Sequence, residues 1–135
     1  MGDHEALAGA GRRVVIVEDN ERNLRLIRHV LERAGFSVAG VSTGEEVLAA
    51  VRAERPDLLL VDIQLRGSAL DGEDVLQAVR ADPAIADLVV VALTAFAVRG
   101  DEERLLAAGF DGYVAKPIDV RAIVGQLLSY LQTVA

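Results

Sequence analysis

The sequence predicts an α/β fold, a doubly wound five-stranded parallel sheet with five helices. The first observation is that short apolar runs rich in Val, Leu and Ile alternate along the chain with segments of helical period. The second is that these runs lack polar alternation, which is typical of strands covered by helices on both faces. Breaker residues between the segments agree with this alternation.

The individual strands and helices follow one another in a regular order. The predicted strands are Val14 to Val17, Phe36 to Val41, Leu58 to Val61, Leu88 to Leu93 and Tyr113 to Ala115. After each strand, apolar residues recur three and four positions apart or side by side: Leu24, Ile27, Val30 and Leu31; Val47, Leu48 and Val51; Val75, Leu76 and Val79; Leu105 and Leu106; Ile123, Val124, Leu127 and Leu128. The first four helices are followed by breakers, namely Gly35, Pro56, Asp82 with Pro83, and Gly109. We therefore expect a flavodoxin-like order of elements.

Length and composition indicate one globular domain. The chain has 135 residues, of which 52% are hydrophobic and 26% charged. Such a chain can bury one sizeable core and is too short for a second of comparable size. Residues 1–11 are predicted to form a flexible amino-terminal tail, and residues 12–133 the domain itself.

Charge and residue types exclude several classes of function. The net charge of −7 argues against direct nucleic-acid binding, which requires basic residues gathered on one face. The absence of Cys excludes disulfides, thiolate metal sites and Cys nucleophiles. No apolar run approaches the roughly 18 residues of a membrane span, and no signal pattern is visible. We expect a cytoplasmic protein that does not contact a membrane.

The residues that end the predicted strands carry the chemistry. In open α/β sheets, ligands bind beyond the carboxyl ends of the strands. Those ends carry Glu18, Asp19, Asp62, Thr94 and Lys116. Carboxylates held close together repel one another unless a cation lies between them, and Mg²⁺ takes oxygen ligands while leaving positions for phosphate oxygens. We therefore expect Asp62 to attack a phosphoryl group beside Mg²⁺, with Thr94 and Lys116 completing the site.

Each of these residues also has an ordinary structural explanation. An Asp after a strand often caps a helix, a lone Thr is often a strand or turn residue, and a lone Lys is usually solvated. Lys116, however, is the only Lys in a chain whose other basic residues are all Arg. Its compact ammonium can reach both a carboxylate and a phosphoryl oxygen. The joint placement at one sheet edge favours the functional interpretation.

Four segments resemble the response-regulator receiver domains of two-component signalling. They are VIVEDN at 15–20, LLLVDIQL at 58–65, VALTAF at 91–96 and GYVAKPI at 112–118, and the resemblance spans nearly the whole chain. It implies a switch that accepts a phosphoryl group from a histidine kinase or histidine phosphotransferase. The switch then changes its surface for a downstream protein. It would not be an enzyme, since only slow autophosphatase activity is expected.

The resemblance also implies a role for each site residue. Asp62 is the phosphoryl acceptor, Asp19 a direct Mg²⁺ ligand, Glu18 a ligand acting through water, and the Gln64 backbone carbonyl a further ligand. Lys116 contacts the phosphoryl group, and the bond from Lys116 to Pro117 is cis. Thr94 and Tyr113 form the switch pair. The output face comprises the fourth helix, fifth strand and fifth helix, including Arg99, Glu103, Tyr113 and Arg121.

Two details near the acceptor refine these expectations. The loop DIQLRGSALDG from Asp62 to Gly72 is longer than usual and has Arg66 where Pro is common. Because Asp62 and Gln64 precede the added residues, we expect the metal site to be kept and any change to fall at the third helix. The bulky Phe96 should leave a water little room near the acceptor, and Gln64 could hold one only weakly in position, so we expect a long-lived phosphorylated state. Simple packing of Phe96 against the fourth helix is the alternative.

Other functions share parts of this pattern. An FMN binder would need a small, Gly-rich loop after the first strand, whereas the acids of VEDNERN would repel its phosphate. A haloacid-type phosphatase would carry a second Asp where this chain has Gln64. A receiver within a larger hybrid kinase and a phosphorylation-independent docking module remain alternatives. His4 and His29 are interpreted as solvated surface groups.

Overall fold

The computed structural model describes residues 9–65, 69–95 and 101–132. Within them the strands are β1 Arg13–Val17, β2 Ser37–Val41, β3 Leu58–Asp62, β4 Val89–Thr94 and β5 Gly112–Ala115. The helices are α1 Glu21–Arg33, α2 Val47–Glu54, α3 Gly72–Ala81, α4 Asp101–Ala108 and α5 Ile123–Gln132, and a 3₁₀ turn at Gly44–Glu46 precedes α2. The predicted fold class is confirmed, with each strand boundary at most one residue from its predicted position.

The sheet is parallel throughout and has the strand order β2-β1-β3-β4-β5. From β1 the chain goes to one side to form β2, and it then crosses back to add β3 on the other side of β1. A crevice opens at the carboxyl ends of β1 and β3, because their following connections diverge there. The topology therefore creates a site between the strands that carry the predicted acids.

Alternate residues of the strands belong to two separate hydrophobic cores, one on each face of the sheet. On one face, Val15 and Val61 pack with residues of α2, α3 and α4. On the other face, Ile16 and Leu60 pack with residues of α1 and α5. Continuous apolar strands are thus required because both faces of the central strands are covered.

The segment before β1 is attached to the domain. The Gly9 and Gly11 amides donate hydrogen bonds to the Ala34 and Gly35 carbonyls, at 2.6 and 2.9 Å. A Cβ on Gly9 would lie 2.5 Å from the Phe36 nitrogen, so the chain packs closely there. Residues 9–11, predicted as part of a tail, therefore contact the loop after α1, while residues 1–8 lie outside the described residues. Over the described ranges, no helix combines the length and apolarity that a membrane crossing requires.

Candidate functional site

The predicted acids converge at the carboxyl edge of the sheet. Glu18 and Asp19 follow β1, and Asp62 ends β3, the strand paired with β1 through Val17 and Val61. This register places the three carboxyl groups side by side, with one oxygen from each within 4.8 Å of the others. The sequence prediction of an acidic cluster is confirmed.

Helix capping does not account for the two aspartates. Asn20 caps α1, because its side chain accepts a hydrogen bond from the Asn23 amide. Asp71 caps α3 in a reciprocal capping box with Asp74. The capping positions are therefore filled by neighbouring residues, and Asp19 and Asp62 are available for other chemistry.

Asp62 is held from two sides. Its carboxyl group is buried, and Oδ1 accepts a hydrogen bond of 2.9 Å from the Gln64 amide. Oδ2 accepts a hydrogen bond of 2.7 Å from Lys116 Nζ. Both contacts fix the orientation of the Asp62 carboxyl group.

Lys116 reaches the cluster from the end of β5. Its amide donates to the Thr94 carbonyl at 2.8 Å, which extends the β4–β5 pairing, and the Lys116–Pro117 bond is cis as predicted. Burial alone would lower the pKa of Lys116, but the hydrogen bond to Asp62 and the charges of Asp62 and Glu18 outweigh it and raise that pKa. The ammonium is therefore a permanent cation within the site.

Glu18 is the least satisfied group of the cluster. Its Oε1 accepts a hydrogen bond of 3.1 Å from the Asn20 amide. Its buried Oε2 has no hydrogen-bond partner in the described part of the chain, although Lys116 Nζ lies 3.3 Å away as an ion pair. Burial, followed by the adjacent Asp62 carboxyl group, raises the pKa of Glu18 to about 7. An oxygen-rich site in which a buried carboxylate oxygen lacks a hydrogen bond fits a hard divalent cation such as Mg²⁺.

A cleft of about 370 Å³ opens over this cluster. The residues that line it are Glu18, Asp19, Asn20, Asn23, Asp62, Gln64, Ala95 and Lys116. A larger cleft of about 550 Å³ lies at the opposite edge, between the end of α2 and the α3–β4 loop, and no comparable acidic cluster of described residues lines it. The chemistry of the lining, and not the size of the cleft, therefore identifies the candidate site.

Gly72 is a site residue that sequence reasoning missed. Its amide donates to the Ile63 carbonyl, and a Cβ at this position would lie 2.5 Å from the Asp62 carbonyl oxygen. The first turn of α3 is thus pressed against the backbone that carries the acceptor. The only signal in the sequence was a Gly directly after the capping Asp71, a common turn pattern.

The predicted switch residues lie on the neighbouring strands β4 and β5. Thr94 ends β4 and is buried, and its register partner on β5 is Ala115. Tyr113 is half-buried on β5 and its hydroxyl donates to Glu102 of α4 at 3.2 Å. Burial, then the charge of Glu102, raises the pKa of Tyr113.

Other predicted residues are exposed or lie outside the described part. Gln64, Glu103, Arg121 and His29 are exposed. Phe96, Arg99, Arg66 and His4 lie outside the described residues, so the predicted shielding by Phe96 stays a prediction. Leu70 after the long loop is partly buried, and its amide donates to Glu45.

Comparisons with known sequences agree with this arrangement. The profile of the response regulator receiver domain matches residues 14–128. The chain is similar to the polar-differentiation response regulator DivK of Brucella anthropi, with 40% identity over 118 residues that cover 87% of this chain and 94% of that protein. DivK of Brucella ovis is 39% identical over the same shares of both chains.

Comparison with solved structures also finds response regulators and a receiver domain. A putative response regulator from Chloroflexus aurantiacus is 29% identical, with a TM-score of 0.82 over 90% of this chain and 98% of that one. The receiver domain of a sensor histidine kinase from Pseudomonas aeruginosa is 32% identical, with a TM-score of 0.80 over 91% and 99% of the two chains, and holds a magnesium ion coordinated in its active-site cleft. A chemotaxis response regulator of Vibrio cholerae shares the fold at 22% identity.

Proposed function

This chain belongs to the response regulator receiver domain family, a family of phosphoacceptor signalling switches, and from this premise we propose that it takes its phosphoryl group on Asp62 beside Mg²⁺. The observation that carries the proposal is the position of Asp62. Its two oxygens accept hydrogen bonds from the Gln64 amide and from the ammonium of Lys116, whereas Glu18 lies 3.3 Å from that ammonium as an ion pair. A nucleophile held in one orientation loses little entropy on reaction.

The metal would be held by the acidic cluster. We propose that Asp19 and Asp62 bind Mg²⁺ directly, that Glu18 binds it through water, and that the Gln64 backbone carbonyl is a further ligand. The buried Oε2 of Glu18, which accepts no hydrogen bond from the described residues, supports this assignment. When bound, Mg²⁺ offsets the negative charge of the carboxylates and of the phosphoryl oxygens.

The transfer itself requires few groups. One Asp62 oxygen forms a bond to phosphorus while the P–N bond to a donor histidine breaks, and the electron pair of that bond returns to the imidazole. Lys116 already pairs with Asp62 and stays next to the new phosphoryl oxygens, whose charge it offsets. The Thr94 hydroxyl then contacts the phosphoryl group. The donor is a histidine kinase or a histidine phosphotransferase.

Labelling with acetyl phosphate tests the acceptor. Wild type with Mg²⁺ is expected to take up one phosphoryl group per chain, and Asp62→Asn none. The matched control is Asp87→Asn, which removes an exposed carboxylate beside the opposite cleft. Equal labelling of wild type and Asp62→Asn would assign the nucleophile to another residue. A protein that is never labelled but still binds its partner would instead support the docking module.

The signal would leave through α4, β5 and α5. The Tyr113 hydroxyl donates a hydrogen bond to Glu102, so the ring is directed toward α4. Movement of Thr94 toward the phosphoryl group would open space for this ring. The new position of the ring would then favour one of two conformations of the surface formed by α4, β5 and α5. Glu103 and Arg121 are exposed on that face. Amide exchange with beryllofluoride, a phosphoryl mimic, should change on this face in wild type and stay unchanged in Asp62→Asn.

Slow hydrolysis would make the protein a switch and not an enzyme. Gln64 is exposed at the cleft and can only weakly orient water. We propose a comparatively long-lived phosphorylated state to which Phe96 contributes by excluding water. The decay of radiolabelled protein is expected to be faster in Phe96→Ala than in wild type, and equal half-lives would remove Phe96 from this role.

A further inference from the structure

The outer edge of β5 is closed by a side chain from α5. Among the described residues, β5 is the last strand of the sheet and pairs only with β4, so no described strand lies on its other side. The Tyr130 hydroxyl donates a hydrogen bond of 2.9 Å to the Tyr113 carbonyl and accepts one of 3.3 Å from the Tyr113 amide. One hydroxyl thus satisfies both backbone groups that Tyr113 presents at the open edge.

Gly112 makes this contact possible. A Cβ at residue 112 would lie 2.3 Å from the Tyr130 ring, so the ring lies directly against the strand backbone. Gly112 is therefore required for packing, because any side chain would push α5 away from β5. The ring is partly buried against the core formed with α1 and α5.

Residue 113 is consequently attached to two helices at once. Its backbone is bonded to Tyr130 of α5, while its side chain packs on the opposite core and contacts Glu102 of α4. Lys116 lies three residues farther along the same short strand end and contacts Asp62. A displacement of β5 at Tyr113 must either carry Tyr130 with it or leave a buried-edge amide and carbonyl without partners, which is unfavourable.

We propose that Tyr130 is a positioning residue of the switch, whose hydroxyl ties α5 to the Tyr113 backbone and passes the rearrangement of Tyr113 on to α5. The proposal rests on the phosphoacceptor function proposed for Asp62. It assigns a specific contact through which α5 responds, and Gly112 is part of that contact.

The chain offers a direct test, because Tyr113 and Tyr130 are its two tyrosines. Protein labelled with 3-fluorotyrosine should give two ¹⁹F resonances, which Tyr113→Phe and Tyr130→Phe assign. Beryllofluoride with Mg²⁺ adds its own ¹⁹F signal when bound. We expect bound beryllofluoride and shifts of both tyrosine resonances in wild type, and neither in Asp62→Asn.

The outcomes separate the two proposals. Bound beryllofluoride with an unmoved Tyr130 resonance would overturn the coupling and leave the acceptor assignment intact. No bound beryllofluoride in wild type would overturn the acceptor assignment, and the coupling with it.

A second measurement separates coupling from simple stabilisation. Tyr130→Phe keeps the ring against Gly112 and removes only the hydroxyl, and its circular dichroism should match wild type. The Tyr113 amide should exchange about tenfold faster, as loss of one hydrogen bond implies. With beryllofluoride bound, the Tyr113 resonance should still shift, while the change in α5 amide exchange should be lost. An α5 response equal to that of wild type would overturn the proposal.

Discussion

The two edges of the sheet both gather charged side chains at strand ends, yet they satisfy those charges differently. At the amino edge, Arg80 of α3 donates to the carbonyls of Ala86, Leu88 and Gly109 and to Asp111 Oδ2. Asp111 also accepts the Val90 amide. At the carboxyl edge three carboxylates lie together, and one ammonium contacts two of them. In the described part of the chain, one buried oxygen of Glu18 has no hydrogen bond.

The difference distinguishes a structural charge cluster from a functional one. Around Arg80, four N–H groups of the guanidinium and one oxygen of Asp111 are paired within the chain, and the network closes the loops before β4 and β5. Around Asp62 the excess of negative charge is left for a ligand to neutralise. Residue types alone do not separate the two edges, whereas the completeness of the hydrogen bonding does.

The largest effect is expected at the amino edge. Arg80→Met keeps much of the side-chain volume but removes four hydrogen bonds, and leaves Asp111 without its cation. We expect the free energy of unfolding to fall by about 3 kcal/mol. Urea denaturation measures this loss. The response to Mg²⁺ should be unchanged, and a loss of that response would mean that the two edges are not independent.

The second prediction concerns stabilisation of the protein by Mg²⁺ bound at the carboxyl edge. An ion that binds only the folded protein should raise the free energy of unfolding by about 2.7 kcal/mol at one hundred times its dissociation constant. Asp19→Asn should abolish the gain, whereas Asp87→Asn, an exposed carboxylate at the opposite edge, should retain it. Melting curves with and without millimolar MgCl₂ provide the measurement. Equal midpoints for wild type in both buffers would remove the metal from the site.

Neutralising one carboxylate at each edge should give effects of opposite sign. In metal-free protein, Glu18→Gln relieves repulsion with Asp62 and removes a buried charge, and should stabilise the fold by about 1 kcal/mol. Asp111→Asn weakens the pairing with Arg80 and should destabilise it by a similar amount, about 1 kcal/mol. Chemical denaturation in a buffer with EDTA measures the free energy of unfolding of both variants and of wild type. Destabilisation by both substitutions would mean that the Glu18 charge is already satisfied without metal.

The smallest effect is expected at an exposed pair near the amino edge. Arg52 and Asp82 form an ion pair of 2.6 Å, and the hydrogen bond from Arg52 lowers the pKa of Asp82 below its ordinary 3.8. The stabilisation is therefore present above pH 3.8 and is lost as the pH falls through the lowered pKa. Arg52→Ala should lower the melting midpoint slightly at pH 7 and not at all at pH 2. High salt should reduce the difference, because exposed pairs are screened.

Sequence reasoning succeeded for the strands and for the acidic cluster for one physical reason. A parallel sheet covered on both faces leaves a continuous apolar run in each strand, and the first polar residue after the run lies at the carboxyl edge. Glu18, Asp19, Asp62 and Lys116 could therefore be located without coordinates. Lys116 and Asp62 are 54 residues apart in the chain, but strand order and register bring their side chains to 2.7 Å.

The sequence by itself therefore determined the order of elements, the edge on which the site lies and the residue types in it. Only the tertiary structure decided that Asn20 and Asp71 take the capping positions, that Gly72 presses α3 against Asp62, and that Tyr130 closes the edge of β5. Periodicity along the chain specifies which face of an element is buried. It does not specify how closely two elements approach or which side chain fills an open backbone position, because both depend on packing between segments distant in sequence.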